Sequence, residues 1–287
     1  MVGDEPPISS IFFDIQIIKK FGYVKKFIFV TQIKGIRFLQ KEKSMDPFQN
    51  IDIIHMKKSG MITKELPVTT ESPLTICINN YIFDQIMRTP GDEKQQVAGL
   101  LFDNKIISSS DDLNNFSLSR SIHGDIVRIQ IRNKQIGLSF NGKKQTHQLK
   151  SIKLSLTDIQ ACFNALSHYQ PIRNVTRSTH AAILFDRSCN PISAKEDVGR
   201  HNALDKVIGQ AFIDDTLVDA YILVLSSRVS HELISKVVKT PVKCILSVSR
   251  PTSLAVDIAR KQKISLACLS KNDGVLIFSG EIRFQMQ

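Results

Sequence analysis

In the C-terminal half of the chain, two patterns of apolar positions alternate. Short runs that are apolar throughout are separated by segments whose apolar residues recur every three or four positions. The runs at 181–185, 220–225 and 243–248, and another that begins at Leu266, predict strands buried on both faces. Strands that alternate with helices predict a mostly parallel or mixed sheet covered by helices.

The segments between these strands have the spacing of amphipathic helices. We predict helices over residues 157–168, 197–212, 228–239 and from Pro251 to about Lys263. The first would bury Ile159, Cys162, Phe163 and Leu166, and the second would bury Ala203, Leu204, Val207, Ile208, Ala211 and Phe212. Pro251 suits a first helical turn, where its missing N–H is not needed.

The middle of the chain is predicted to be rich in strands. Residues 74–78 and 81–83 predict two strands, and the Asn79-Asn80 pair between them tolerates the positive φ of a tight turn. Residues 125–132 and 134–140 alternate between apolar and polar, which is typical of half-buried strands.

A helix is expected within this strand-rich region. The sequence Thr-Pro-Gly-Asp at residues 89–92 breaks the chain and predicts the cap of a helix that runs through residues 97–101. The predicted fold class is therefore α/β (α+β overall), and the chain divides into three parts. These are an N-terminal extension of doubtful status at 1–64, a β-rich module with one helix at 65–150, and an α/β domain at 151–287.

Residues 1–60 differ in composition from the rest of the chain. Their apolar runs are interrupted by basic pairs, and Asp4, Glu5 and Asp14 stand where a signal peptide would be basic and then apolar. We therefore expect no secretion and a cytoplasmic location, and no function is assigned to this region.

Composition excludes several classes of protein. The chain has 287 residues, of which 42% are hydrophobic and 23% are charged, as in ordinary globular proteins. It contains no long apolar run of the kind that spans a membrane, so we expect no membrane partner. The net charge of +11 favours anionic partners: nucleotides, phosphorylated cofactors, nucleic acid or acidic proteins.

The cysteines are few and widely spaced. Cys77, Cys162, Cys189, Cys244 and Cys268 are odd in number and form no CxxC pair, which fits a reducing compartment better than a disulfide framework. Metal binding is not expected either, because the zinc signature of deaminases is absent and the histidines are dispersed.

Polar and basic residues gather where predicted strands meet predicted helices. Ser226–Glu232, Ser249–Ser253 and Glu196–Asn202 occupy three such junctions. Ligands of open α/β sheets bind at the carboxyl ends of the strands, where helix N-termini attract phosphate. Arginine at these positions can fork onto phosphate or carboxylate oxygens. The alternative is that the Ser and Thr residues are ordinary N-caps and the arginines are solvated surface charges.

The segment at residues 196–206 is the densest in polar groups. On a helix, His201 would neighbour Asp205, and Asn202 would neighbour Lys206. A buried His held by Asp would have a fixed tautomer and raised basicity. The alternative is a solvent-facing helix with ion pairs.

The same segment, EDVGRHNALDK, resembles the signature of the FdhD family of formate dehydrogenase accessory proteins. Other matching pieces stand in the same order, and the resemblance covers about residues 65–280. They are Met87–Pro90 with the helix at 97–101, Thr179–Ala182, Ser227–Leu233 and Ser249–Val256.

The resemblance implies a function. Members of the family carry sulfur from a cysteine desulfurase to bis-molybdopterin guanine dinucleotide, the molybdenum cofactor of formate dehydrogenase, and GDP mimics a fragment of it. The resemblance also implies a cytidine-deaminase-like C-terminal domain and a homodimer. The cofactor-binding residues it suggests, together with the junctions, are His180, Asp197, Arg200, His201, Asn202, Asp205, Lys206, Arg228, Ser230, Glu232, Ser249, Arg250, Thr252, Ser253 and Lys271.

The chain departs from the family at the sulfur-carrying motif. Only a thiolate can accept and pass on a sulfane sulfur, and the family uses C-G-x-C-G-K. Here the matching stretch begins at Leu138, and Leu138 and Asn141 occupy the two cysteine positions. Cys189, which follows Arg187 in a predicted loop, and Cys268 are the substitutes to consider, although each is more simply a cysteine without chemistry.

Three functions therefore compete. The first is an FdhD-like accessory protein that binds the cofactor and transfers sulfur, and the second is a cofactor-binding chaperone that has lost the transfer. Nucleic-acid binding, suggested only by the charge, is a remote third, and we expect no nucleic-acid partner. A base deaminase has almost no support without zinc ligands.

Overall fold

The structure is a computed structural model that describes residues 46–121, 123–131, 152–271 and 274–285. Residues 1–45 of the doubtful extension predicted at 1–64, the strand predicted at 134–140 and the motif positions Leu138 and Asn141 lie outside the described residues. No helix in the described ranges is long and apolar enough to cross a membrane.

The described residues form twelve strands and six α-helices. The strands are β1 (Phe48–Lys57), β2 (Gly60–Thr69), β3 (Ser72–Ile78), β4 (Tyr81–Arg88), β5 (Ser117–Ser119), β6 (Asp125–Ile129), β7 (His180–Phe185), β8 (Pro191–Asp197), β9 (Ile222–Leu225), β10 (Cys244–Ser247), β11 (Ser265–Leu269) and β12 (Val275–Ser279). The helices are α1 (Glu93–Asp103), α2 (Leu156–His168), α3 (Pro171–Thr176), α4 (Arg200–Ile213), α5 (His231–Val237) and α6 (Ser253–Lys261).

The strands form three sheets. The largest has six strands in the order β12-β11-β10-β9-β7-β8, in which β9, β10 and β11 are parallel and the other pairings are antiparallel. A four-stranded sheet has the order β4-β3-β6-β5, and β1 and β2 form a two-stranded sheet. The predicted fold class, α/β with a mixed sheet and a smaller β-rich part, is confirmed, whereas the cytidine-deaminase-like description stays a prediction.

Helix α4 links the helix of the β-rich part to the large sheet. It packs against β7 and β8 on one side and against α1 on the other. Two glycines allow the close approach of these helices. A Cβ at Gly99 would collide with the backbone carbonyl of Asp205, and one at Gly209 would collide with that of Gln95. The apolar residues predicted to face inward on α4 are buried, as predicted.

Several predicted boundaries need correction. The helix predicted over 197–212 begins only at Arg200, because residues up to Asp197 belong to β8, a strand that the sequence prediction missed. The helix predicted over 228–239 is confined to α5. Pro251 lies before α6 rather than in its first turn, and Thr252 is the N-cap, whose hydroxyl accepts from the Ala255 N–H at 3.4 Å.

The turns of the β-rich part are largely as predicted. Asn79 and Asn80 both have positive φ, 49° and 69°, so they form the expected tight turn between β3 and β4. Asp92 stands at the N-cap of α1, but its side chain makes no capping bond. Its carboxylate instead contacts Lys195 Nζ in β8 at 2.7 Å. The break at 89–92 therefore precedes the helix as predicted, but the side chain of Asp92 does not cap it.

The predicted division of the chain into three parts stays a prediction. The proposed boundary after residue 64 falls within β2, which continues to Thr69. The hairpin of β1 and β2 contacts α3 at its end, where the Thr69 hydroxyl donates to Thr176 Oγ1 at 2.8 Å.

Candidate functional site

Strand direction gathers the polar junctions at one edge of the six-stranded sheet, which we call the carboxyl edge. The parallel strands β9, β10 and β11 all end there. Because β7 is antiparallel to β9, it begins there, with Ala182 opposite Leu225. Strand β8 ends there in turn, with Asp197 opposite His180. The three polar junctions therefore lie at one edge of the sheet, and the one at Glu196–Asn202 follows β8 rather than the strand predicted at 181–185.

Asp197 is the centre of a buried network at this edge. Its side chain is fully buried, and its carboxylate accepts hydrogen bonds from the backbone N–H groups of Thr89 and Gly199 at 3.1 and 2.8 Å. It also accepts from Asn202 Nδ2 at 2.9 Å and lies 2.7 Å from Lys206 Nζ. Four donors satisfy the carboxylate, as a buried charge requires.

The polar atoms of the other residues in this network also have hydrogen-bond partners. Lys206 Nζ, itself 1% exposed, also donates to the Thr89 carbonyl at 2.9 Å, and Asn202 Nδ2 donates to the Met87 carbonyl at 2.7 Å. The Thr89 hydroxyl accepts from the Val198 N–H at 3.0 Å. The predicted neighbours Asn202 and Lys206 thus meet at Asp197, and they join the β4–α1 connection to the start of α4.

Asp205 has a different partner from the predicted one. Its carboxylate lies 2.6 and 2.8 Å from Lys236 Nζ in α5, not beside His201. Burial raises the pKa of Asp205 to about 6, while Lys236 acts in the opposite direction. The pair connects α4 to α5 and stabilises the helices that carry the site.

His201 faces Glu232. Its Nε2 lies 2.9 Å from Glu232 Oε2, at the border of a cleft of about 370 Å³ that His231 and Lys236 also line. Burial lowers the pKa of His201, and the charge of Arg200 lowers it further, although Glu232 raises it. The predicted His201–Asp205 pair with raised basicity is therefore wrong.

A second set of polar side chains at the carboxyl edge lacks partners. Three buried side-chain atoms at this edge make no hydrogen bond within the described residues: His180 Nδ1, Arg200 Nε and Ser230 Oγ. Burial lowers the pKa of His180, and the neighbouring Arg173 and Arg200 lower it further. Buried polar groups are normally paired, so an unpaired set at one edge indicates a place for a polar ligand.

Exposed cations surround this unpaired set. Arg228, Arg250 and Lys271 follow β9, β10 and β11, and none of them forms an ion pair with the part of the chain that the structure describes. Ser249, Thr252 and Ser253 are exposed beside them. Arg250 also borders a groove of about 500 Å³ whose other lining residues, Val275–Phe278, belong to β12. The edge therefore combines free cations, free donors and an apolar groove.

Comparison with known proteins now decides the family. The model of the FdhD/NarQ family matches residues 69–285, about three quarters of the chain. This chain belongs to the FdhD/NarQ family.

Individual relatives agree with this assignment. The sulfur carrier protein FdhD of Sulfurisphaera tokodaii is 32% identical over 235 residues, which cover 75% of this chain and 91% of that protein. The protein of the same name from Saccharolobus solfataricus is 28% identical over 250 residues, 80% of this chain and 96% of its own. A solved structure described as a formate dehydrogenase accessory protein, from Desulfotalea psychrophila, has a TM-score of 0.67 at 20% identity and covers 83% of this chain and 99% of its own; it supports the fold alone.

The two cysteines considered as substitutes in this FdhD-family chain lie at opposite ends of the sheet. Cys268, near the end of β11, is at the carboxyl edge but fully buried, and burial raises the pKa of its thiol against the opposing charge of Arg250. Cys189 lies in the turn between β7 and β8, at the other end of the strands, and is partly exposed. The guanidinium of the nearby Arg187 stacks on Tyr221 at 4.6 Å.

Sequence reasoning missed two residues of the supporting structure. Thr89 is not among the predicted site residues, yet it bonds Asp197, Val198 and Lys206. Glu196 accepts from the N–H groups of Ile172 and Arg173 and from the Thr179 hydroxyl. Both lie in segments that match the family, and Glu196 also opens one of the polar junctions. In the described ranges no three His, Cys, Asp or Glu side chains are grouped to hold a metal ion.

Proposed function

We propose that this chain is an accessory protein for formate dehydrogenase maturation, and that its carboxyl edge binds bis-molybdopterin guanine dinucleotide as cargo. The observation that carries the proposal is the set of three unpaired buried polar atoms, on His180, Arg200 and Ser230, beside three exposed cations that form no ion pair with the described residues. These groups suit a ligand that is both strongly anionic and rich in donors and acceptors.

The chemistry of the ligand matches that of the edge. Its pyrophosphates offer oxygens to Arg228 and Arg250, which can each donate two parallel hydrogen bonds to one phosphate. Its guanine and pterin rings carry polar edges that can pair with His180 and Ser230, and flat apolar faces that suit a groove like that beside β12. The Asp197 network takes no direct part, since its polar atoms are occupied, but it fixes the position of Arg200 and His201.

The sulfur-carrying half of the function comes from the relatives. The two curated relatives described above are named sulfur carriers, and their names motivate the same role for this chain. The proposed partners are then a cysteine desulfurase as sulfur donor and a formate dehydrogenase as recipient of the cofactor. The homodimer expected from the resemblance belongs to the same proposal.

Nucleotide titration tests the binding site. Calorimetric titration of the full chain with GDP and with ATP should show binding of GDP and a clear preference for it. Arg228→Ala and Arg250→Ala should each weaken GDP binding by about 1.5–3 kcal/mol, the contribution of a hydrogen bond to a charged group. Lys261→Ala, which removes an exposed cation at the far end of α6, is the matched control. Equal affinity for GDP and ATP would contradict the proposed ligand.

A second candidate function is favoured by one observation. Among the described residues the carboxyl edge has no exposed thiol, because Cys268 is buried. A chaperone that binds the cofactor without sulfurating it would need none. Expression of this chain in cells that lack their own FdhD separates the two, since restored formate dehydrogenase activity requires sulfur transfer.

A further inference from the structure

A buried group of polar side chains lies between the four-stranded sheet and α1, away from the carboxyl edge. Three neighbouring strands bring Ser72, Arg88 and Asp125 to one end of the sheet, where β3 and β6 begin and β4 ends. Helix α1 contributes Glu93 and Gln96. Each of these five residues is at most 4% exposed. We call them the α1 polar cluster.

The charged residues of the α1 polar cluster are paired. Arg88 Nη2 lies 2.5 Å from Asp125 Oδ2 and 2.9 Å from Glu93 Oε1. A second guanidinium, that of Arg120, lies 3.1 Å from Asp125 and 3.6 Å from Glu93, and its side chain is 26% exposed. Two cations therefore face two carboxylates, and the group as a whole carries no net charge.

Five polar atoms of the same cluster have no hydrogen-bond partner in the part of the chain that the structure describes. They are Ser72 Oγ, Arg88 Nε, Arg88 Nη1 and both the nitrogen and the oxygen of the Gln96 amide. Buried polar atoms are almost always hydrogen-bonded to protein or to ordered water. Five unpaired atoms in one cluster therefore indicate a partner that is not a protein atom.

The backbone brings the three side chains that carry these atoms together. Ser72 stands directly opposite Arg88 in the β3–β4 pairing, and side chains that face each other across two strands project from the same side of a sheet. Gln96 follows Glu93 by three residues in α1, so the two side chains are neighbours on the helix surface. Since Glu93 contacts Arg88, Gln96 is adjacent to the same guanidinium.

The charges and the free atoms determine what kind of molecule fits between these side chains. The free atoms of Arg88 only donate hydrogen bonds, the Gln96 oxygen only accepts them, and Ser72 Oγ can do both. An anion would leave a buried net negative charge and has no hydrogen to donate to Gln96, whereas a cation would lie against the guanidinium of Arg88. The partner is therefore a small neutral molecule that both donates and accepts, which describes water.

We propose that the α1 polar cluster is an internal hydration site, in which ordered water joins Arg88, Gln96 and Ser72. A buried water makes about three hydrogen bonds, so five free atoms require about two water molecules. Water that satisfies buried polar groups in this way is part of the folded structure and is costly to remove.

The hydration site lies next to the residues that support the carboxyl edge. Arg88 directly precedes Thr89, whose N–H and carbonyl bond Asp197 and Lys206. Water between Arg88 and Gln96 therefore ties the start of the β4–α1 connection to α1 and stabilises the position of Thr89. The inference concerns the interior of the protein and does not depend on the proposed ligand or on sulfur transfer.

A crystal structure of the full chain, at a resolution that shows ordered water, tests the site directly. Two density peaks are expected within about 3.2 Å of the free atoms of Arg88 and Gln96. Diffraction data collected at a long wavelength distinguish water from chloride, which gives an anomalous signal. No peak at these atoms, a chloride ion, or a Gln96 amide turned toward a protein partner would overturn the proposal.

Gln96→Met tests the site in solution. Methionine is also unbranched, is a good helix former and lacks both polar atoms of the amide. If water pairs with Gln96, the substitution deprives that water of partners, and the urea midpoint of unfolding should fall. If the amide is dry and unpaired, the substitution removes an unsatisfied buried group, and the midpoint should rise.

Gln160→Met is the matched control. It makes the same change at an exposed position of α2, so its urea midpoint should stay close to that of the wild type. The proposal expects a lower midpoint for Gln96→Met than for Gln160→Met. A midpoint for Gln96→Met that equals or exceeds that of the wild type would contradict the hydration site.

Discussion

Two groups of polar side chains lie side by side at the carboxyl edge, and they differ in whether their atoms have partners. In the Asp197 network the carboxylate of Asp197, the ammonium of Lys206 and the amide N–H of Asn202 are paired with protein atoms. In the neighbouring set, atoms of His180 and Ser230 are buried without partners. Both groups include residues from the family-matching segments, so a match to the family does not distinguish supporting residues from ligand-binding residues. Whether the polar atoms of a side chain already have hydrogen-bond partners does distinguish them.

The largest expected effect tests the supporting role of the network. Lys206→Met leaves the fully buried Asp197 charge without its cation, and breaking a buried pair in this way costs about 3–5 kcal/mol of unfolding free energy. Urea denaturation measures the loss. Lys239→Met, which removes the exposed partner of Asp103, should cost at most about 1 kcal/mol. A similar loss in both variants would mean that the network does not support the edge.

The Asp205–Lys236 pair gives a prediction of intermediate size. The folded protein binds the Asp205 proton more tightly than the unfolded chain does, because burial raises the pKa from 3.8 to about 6. This contribution to stability is fully present below about pH 4 and is lost as the pH rises to 6. At about 1.4 kcal/mol per pH unit, the free energy of unfolding attributable to Asp205 should fall by about 3 kcal/mol over this interval.

Comparison with Asp205→Asn isolates this contribution. Urea denaturation at several pH values between 4 and 6.5 should show a flatter pH dependence for Asp205→Asn than for the wild type. Asp257→Asn, which removes an exposed carboxylate from α6, controls for the change in net charge. If Asp205→Asn and Asp257→Asn behave alike, Asp205 is not protonated in this interval.

The sequence was sufficient to predict the strands and turns that are determined by neighbouring residues in the chain. Strands such as Ile222–Leu225 are apolar throughout, and the Asn79-Asn80 turn follows from the φ that these residues tolerate. Strand β8 was missed because Pro191–Asp197 contains three charged residues in a row, and their partners lie in other elements. Lys195, for example, forms an ion pair with Asp92, and no pattern within the strand predicts such a contact.

The candidate site shows the same limit. The polar junctions could be named from the sequence, but the edge that they share could not, because β8, which carries Asp197 to that edge, was not predicted. The side-chain pairs could not be predicted. A helical spacing of four suggests that His201 pairs with Asp205, whereas in the structure His201 pairs with Glu232 and Asp205 pairs with Lys236, both in α5. Contacts between elements depend on the packing of the helices, which no spacing within one helix encodes.

The smallest effect on stability tests the unpaired set. Ser230 stands at the N-cap of α5 but makes no capping bond, and its buried hydroxyl has no partner among the described residues. Ser230→Ala should therefore change the free energy of unfolding by less than about 0.5 kcal/mol, whereas loss of a capping hydroxyl costs about 1 kcal/mol. Thr252→Ala, which removes the hydroxyl that caps α6, is the matched comparison.

If the hydroxyl of Ser230 is kept for a ligand, Ser230→Ala should still weaken GDP binding several-fold, by about 0.5–1.5 kcal/mol. A variant that loses stability and keeps its GDP affinity would instead place Ser230 with the supporting residues.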